Sequence, residues 1–141
     1  MRAGGCLCGG IRYVVRGPLR DVLVCHCVEC RRWTGRAWAA TAARSTDLEL
    51  PANETLAWVE SPHSALGASR GFCRRCGTSL FWRAPGSEQI SLAAGTLDDP
   101  SALRVAAHIW VEQAVPWDPP PAGLPTHPRG YPPEAPPLAW R

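Results

Sequence analysis

The side chains in this sequence best suited to chemistry are its cysteines. Seven of them fall in three clusters: Cys6-Leu7-Cys8, Cys25-His26-Cys27-Val28-Glu29-Cys30 and Cys73-Arg74-Arg75-Cys76. Seven is odd, so a disulfide framework would leave one thiol over. In a reducing cytosol, clustered cysteines are more often metal ligands than disulfides. The last cluster lies in Gly71-Phe72-Cys73-Arg74-Arg75-Cys76-Gly77, the form of a zinc knuckle. Two cysteines three apart, in a tight turn closed by glycine, aim both sulfurs at one point. N–H groups of that turn donate to the thiolates and offset their charge. A knuckle of this kind is half of a site. Cys6 and Cys8 are the natural other half, because Gly4-Gly5 and Gly9-Gly10 let the chain turn sharply around them. Cys6, Cys8, Cys73 and Cys76 together make a closed four-thiolate site of the structural kind.

Cys25, Cys27 and Cys30 remain. Three thiolates within six residues can fill three corners of a zinc tetrahedron. A structural zinc is fully ligated by protein, whereas a catalytic zinc keeps a position for water or substrate. Three candidates for a fourth ligand are His26, Glu29 and His108. His26 alternates away from its cysteine neighbours if the segment is extended. Glu29 reads as a solvated carboxylate. His108 would have to reach the site from afar, as a ligand or as a side chain around it. Buried or redox thiols, and other partitions of the seven cysteines, stay open on spacing alone.

The elements that must position these ligands are β-rich. Strand patterns cover residues 11–16, 21–24, 55–60, 68–72, 78–83, 89–94 and 108–112. Cys30 to Thr34 suits a helical turn closed by Gly35. Ala37 to Ala43 is ambiguous between helix and strand. Leu97-Asp98-Asp99-Pro100 is a loop or a helix start. From Pro116 onward, ten of 26 residues are proline. Proline excludes helix and interior strand, so this tail is expected to be an extended arm, packed at Trp117 and looser after it. The expected organisation is a zinc-binding domain over 1–117 and a Pro-rich tail over 118–141.

The bulk figures narrow the function classes. A chain of 141 residues fits one domain with a core of its own. Its net charge of +3 is too small to argue for nucleic acid, and the basic residues, all arginine, are dispersed. No apolar run is long enough to cross a bilayer. The N-terminus lacks the apolar centre of a signal peptide, so the expected compartment is the cytoplasm.

Five segments together resemble the glutathione-dependent formaldehyde-activating enzyme family, which includes centromere-protein-V-like domains. They are Gly5-Cys6-Leu7-Cys8-Gly9, Cys25-His26-Cys27-x-x-Cys30-Arg31, Phe72-Cys73-x-x-Cys76-Gly77-Thr78, Ala94-Gly95-Thr96-Leu97-Asp98-Asp99-Pro100, and His108-Ile109-Trp110-Val111 followed by Pro116-Trp117. The resemblance implies a mainly β, zinc-centred fold like that of the Rab-chaperone zinc proteins. It implies two zinc ions per chain, a structural one on Cys6, Cys8, Cys73 and Cys76 and a catalytic one on Cys25, Cys27 and Cys30. The type activity joins glutathione and formaldehyde as S-hydroxymethylglutathione, and in reverse it is a carbon–sulfur lyase. A zinc held by three thiolates carries a charge of about −1 before a fourth ligand arrives. It is then a weak Lewis acid that keeps a bound sulfur nucleophilic, which suits thiol transfer better than water activation. Glutathione has two carboxylates, and Arg31, Arg32 and Arg36 follow the three cysteines closely enough to receive them. A solvated basic turn is the alternative for those arginines. The expected partners are therefore a small thiol and an aldehyde. The competing function is a non-catalytic zinc domain that binds a protein.

Overall fold

The structure, a computed structural model, describes residues 1–141. In chain order the elements are β1 (Arg2–Gly5), β2 (Arg12–Val15), β3 (Val22–Cys25), α1 (Val28–Thr34), β4 (Trp38–Arg44), β5 (Leu48–Ala52), β6 (Leu56–Glu60), β7 (Ser69–Cys73), β8 (Ser79–Arg83), β9 (Gln89–Ala93) and β10 (Val105–Ile109), with three short 3₁₀ turns. The fold is mainly β, as the sequence predicts. Three strands form an antiparallel sheet in the order β1-β2-β5. Seven form a second sheet in the order β10-β3-β4-β9-β8-β7-β6. Its one parallel pairing is β10 with β3.

Alternation along the strands gives the larger sheet two unlike faces. One face presents Ala43, Phe81, Ile90 and Leu92 to Ile11, Tyr13 and Val15, and this is the main core. The Tyr13 and Phe81 rings meet edge to face at 5.7 Å. Burial pushes the Tyr13 hydroxyl up to about 12, so it stays neutral and bonds the Thr96 hydroxyl at 2.9 Å. The opposite face presents Leu23, Cys25, Trp38, Ala40, Ser91 and Trp82 to a cavity roofed by α1 and residues 61–66. One sheet therefore serves as core on one side and as site floor on the other.

Several elements differ from expectation for identifiable reasons. Residues 38–44 are strand, because β4 lies central between β3 and β9 and its alanines pack on both faces. β1 and β5 were not predicted, since glycine in one and Pro51 in the other argue against strand. Gly4 lies so close to the Tyr13 hydroxyl and the Thr96 carbonyl that a Cβ would collide with both. β5 is an edge strand, where proline is tolerated. The predicted strand over 108–112 is displaced toward the N-terminus. β10 ends at Ile109, Trp110 turns the chain at φ 56°, and Val111–Gln113 form a 3₁₀ turn. The segment 97–100 is loop, fixed by the Asp98 N–H on the Ala3 carbonyl at 2.9 Å and by the Arg12–Asp98 ion pair.

The tail departs most from expectation. Trp117 is 67% exposed, while residues well beyond it are held. The His108 N–H donates to the Pro125 carbonyl and the His127 N–H to the His108 carbonyl, both at 2.9 Å. Leu19 and Arg141 exchange backbone hydrogen bonds of 2.9 and 2.7 Å. The Arg141 guanidinium grips Asp21 at 2.7 and 3.0 Å. Proline lacks a donor but keeps its carbonyl, and this tail is bound in part by proline carbonyls accepting from neighbouring N–H groups.

Candidate metal centres

The structure gathers the seven cysteines into two groups: Cys6, Cys8, Cys73 and Cys76, and Cys25, Cys27 and Cys30. Within each, the sulfurs lie within 4.8 Å of one another. The division is the one the sequence predicts.

The four-cysteine cluster joins two turns far apart in the chain. After β1, the Cys6 carbonyl accepts from Gly9 N–H at 3.1 Å, and the Ile11 N–H donates to the Cys6 sulfur at 3.2 Å. At the end of β7, the Cys73 carbonyl accepts from Gly77 N–H at 2.7 Å. Gly9 and Gly77 close their turns at φ 80° and 78°, a backbone state that costs little only without a Cβ. The Cys6–Cys8 and Cys8–Cys73 sulfur separations are 3.6 and 3.7 Å. A tetrahedron with metal–sulfur bonds of about 2.3 Å has edges of about 3.8 Å, so the spacing fits zinc. The Thr55 hydroxyl lies 3.1 Å from the Cys73 sulfur and the Thr78 hydroxyl 3.1 Å from that of Cys76. Thr78, through its hydroxyl and then its N–H, pulls the Cys76 thiol down to about 5.

The three-cysteine cluster is built from one continuous segment at a strand-to-helix junction. Cys25 ends β3 opposite Trp38. Cys27 is the N-cap of α1, and its sulfur accepts the Cys30 N–H at 3.3 Å. Gly35, left-handed, closes the helix with its N–H on the Arg31 carbonyl. The thiols pull one another's acidity apart. Hydrogen bonds from Cys25 and Cys30 drive Cys27 far down. The bond to Cys27 drives Cys25 far up, with burial adding to it. Cys30 is lowered by Cys25 but raised more by Cys27 and burial, to about 11. Three such sulfurs ionise together only beside a strong positive charge, which a divalent metal ion supplies.

Arg70 provides a fixed cation here. It comes from β7, is buried, and lines the same cavity as the three cysteines. Its Nη1 and Nη2 atoms stand 3.6 and 3.7 Å from the Cys30 sulfur. Its Nε donates to the Ser61 hydroxyl at 2.9 Å, and Ser61 donates to Glu29 at 2.5 Å. The guanidinium also lies over the Trp33 ring, 4.9 Å from its centre. Glu29 is thus a support for Arg70 through Ser61. Sequence reasoning missed Arg70, which stands in no cysteine motif and reaches the site only through the pairing of distant strands.

The other candidates sit elsewhere. His26 and His108 are buried and bond each other, Nε2 to Nδ1 at 2.8 Å, outside the cavity lining. Burial lowers the pKa of both. Arg36 grips Asp118 at 2.5 and 3.2 Å. Arg31 and Arg32 follow Cys30 around the helix and do not line the cavity. The arginines that do are Arg20 and Arg70. The cavity holds about 550 Å³, within the range of small-molecule sites. Cys25, Cys27 and Cys30 all border it.

Fold and centres together define a mainly β protein organised around two cysteine clusters able to hold metal ions. The chain belongs to the glutathione-dependent formaldehyde-activating enzyme family, whose model matches residues 1–113. It is similar to a Rhodobacter sphaeroides protein of known crystal structure, with 25% sequence identity and a TM-score of 0.56 over 68% of this chain and 87% of that one. No helix is long and apolar enough to cross a membrane.

Proposed function

We propose that this chain is a zinc-dependent enzyme of the carbon–sulfur lyase type that interconverts a small thiol plus an aldehyde with their adduct. Glutathione and formaldehyde, giving S-hydroxymethylglutathione, are the first pair to test. Family membership supports the enzyme class. The observation that carries the proposal is the three-cysteine cluster in the wall of a ligand-sized cavity, with no fourth cysteine, histidine or carboxylate in the group.

Cys6, Cys8, Cys73 and Cys76 would hold one zinc as a structural clip, and Cys25, Cys27 and Cys30 a second. When bound at the second site, zinc supplies an open position and the charge that keeps a thiol deprotonated near neutrality. Arg70 and the Cys30 N–H offset the charge of the cysteine sulfurs from the protein side. The floor of Leu23 and Trp38 keeps one wall of the cavity apolar. In the forward direction the thiol sulfur forms a bond to the carbonyl carbon, the carbon–oxygen π bond opens, and the proton lost from sulfur ends on that oxygen. Reversal breaks the carbon–sulfur bond. Seven unpaired thiols suit a reducing compartment such as the cytoplasm.

Lowering a thiol's pKa raises the thiolate fraction but reduces its nucleophilicity, so the expected acceleration is only about tenfold to a hundredfold. Exchange spectroscopy of glutathione–formaldehyde interconversion tests it, comparing wild type with Cys27→Ser at equal concentration. Wild type should exceed the protein-free exchange rate and Cys27→Ser should not. Protein-free rates for both, across a panel of small thiols, would leave a non-catalytic zinc domain as the better account.

A further inference from the structure

Arg20 is the second arginine of the cavity, and its bonding is unusual for a charged group. Its Nε donates to the Asp21 carbonyl at 3.2 Å and its Nη2 to the Ala40 carbonyl at 3.1 Å. Both acceptors are neutral backbone atoms. Five arginines make ion pairs, namely Arg12, Arg16, Arg36, Arg129 and Arg141, and Arg20 is not among them. The carboxylate next to it in sequence, Asp21, is taken by Arg141. Arg70, which lines the same cavity, has sulfur and a hydroxyl as partners. Burial lowers the Arg20 pKa to about 10, which still leaves a full cation at neutral pH. Of the guanidinium's five N–H groups, about three have no protein acceptor.

Trp38 borders the same space. Trp38 is 7% exposed, and its indole N–H is buried with no hydrogen-bond partner.

Strand register sets the spacing. Arg20 is anchored at Ala40, which pairs with Leu23, and Cys25 pairs with Trp38. Leu23 and Cys25 are two residues apart on one face of the sheet, so the backbone at the Arg20 anchor lies about 7 Å along the strand from the backbone of Cys25.

We propose that Arg20 is the receptor for a carboxylate on the thiol substrate, so that the cavity selects thiols bearing an anionic group over neutral thiols of the same length. This rests on the proposed thiol site and assigns its substrate class. The anion completes the Arg20 fork. A charge-assisted contact of this kind is worth about tenfold to a hundredfold in affinity.

Matched probes test it. Tryptophan fluorescence of the zinc-loaded protein is titrated with 6-mercaptohexanoate, 6-mercaptohexanol and S-methylglutathione. Wild type should bind the acid at least about tenfold more tightly than the alcohol. Arg20→Met should abolish that preference, leave the alcohol within about twofold, and weaken S-methylglutathione. Arg20→Gln keeps a donor for the backbone carbonyls but no charge, and it gives the same answer if Arg20→Met unfolds. Equal binding of acid and alcohol by wild type overturns the assignment, and so does a preference that survives loss of the Arg20 charge or vanishes only in Arg70→Met. S-methylglutathione has no free thiol, so its binding reads the anion receptor alone. Failure of both thiols to bind, with S-methylglutathione still dependent on Arg20, would sink the thiol site and spare the receptor.

Discussion

The two cysteine clusters share a donor atom and differ in how the chain assembles them. One draws ligands from two turns separated by most of the larger sheet's strands, with Cys8 and Cys73 65 residues apart. The other takes all its ligands from six consecutive residues. Closing a long loop restricts the unfolded chain far more than closing a short one. A metal in the first cluster would therefore stabilise the fold, whereas a metal in the second would add little cross-linking. The surroundings agree. The first cluster is ringed by glycine turns and threonine hydroxyls. The second borders a cavity and faces a buried arginine.

Ligand removal should give the largest contrast. Cys73→Ser should cost at least about 3 kcal/mol, lowering Tm by roughly 10 °C, because the chain loses its long-range tie. Cys27→Ser should stay within about 1 kcal/mol of wild type. Thermal unfolding of the two variants side by side checks this, and equal losses would erase the distinction between the clusters.

Metal retention should differ next. In a chelator titration followed by elemental analysis, the zinc of the three-cysteine cluster should leave first, since the four-cysteine site is fully ligated by protein. Arg70→Met should hasten that first loss by about tenfold and leave the second zinc unchanged. Simultaneous loss of both ions would merge the two sites into one cooperative unit.

The smallest effect isolates the knuckle. Gly77 sits at φ 78° with no atom within 4 Å of an added Cβ. Gly77→Ala should therefore cost about 1–2 kcal/mol from backbone strain alone. Tm should fall while metal content stays at wild-type level. An unchanged Tm would show that the turn relaxes without its glycine.

Legibility in the sequence followed the range of the interaction. The cysteine clusters could be read because each ligand set is local or carries glycine beside it, and spacing alone encodes a turn. Residues 37–43 stayed ambiguous because alanine favours helix on its own, and only the neighbouring strands decide the matter. Arg20 and Arg70 were invisible as cavity residues, since only the assembly of distant segments brings them to the cavity that the cysteines border. Arg31 and Arg32, adjacent to Cys30 in sequence, were the reasonable choice, yet a helix carries consecutive residues to different sides. The tail shows the limit of a rule about donors. Proline's missing N–H argued correctly against regular structure, but Pro125 and Pro128 are held through their carbonyls.

The four-cysteine cluster also bears on the order in which the chain is made. Synthesis runs from the N-terminus, and domains begin to fold during it. All four ligands have been made once Cys76 has been added, before β8, β9 and β10 exist. In the finished sheet, β8 and β9 lie between β7 and β4. A metal captured at that moment would fasten the β1–β2 hairpin to the end of β7 while the middle of the large sheet is still missing. β8 and β9 would then enter the gap between β4 and a β7 already tethered. On the growing chain, such a clip would act as a template for the placement of β8 and β9.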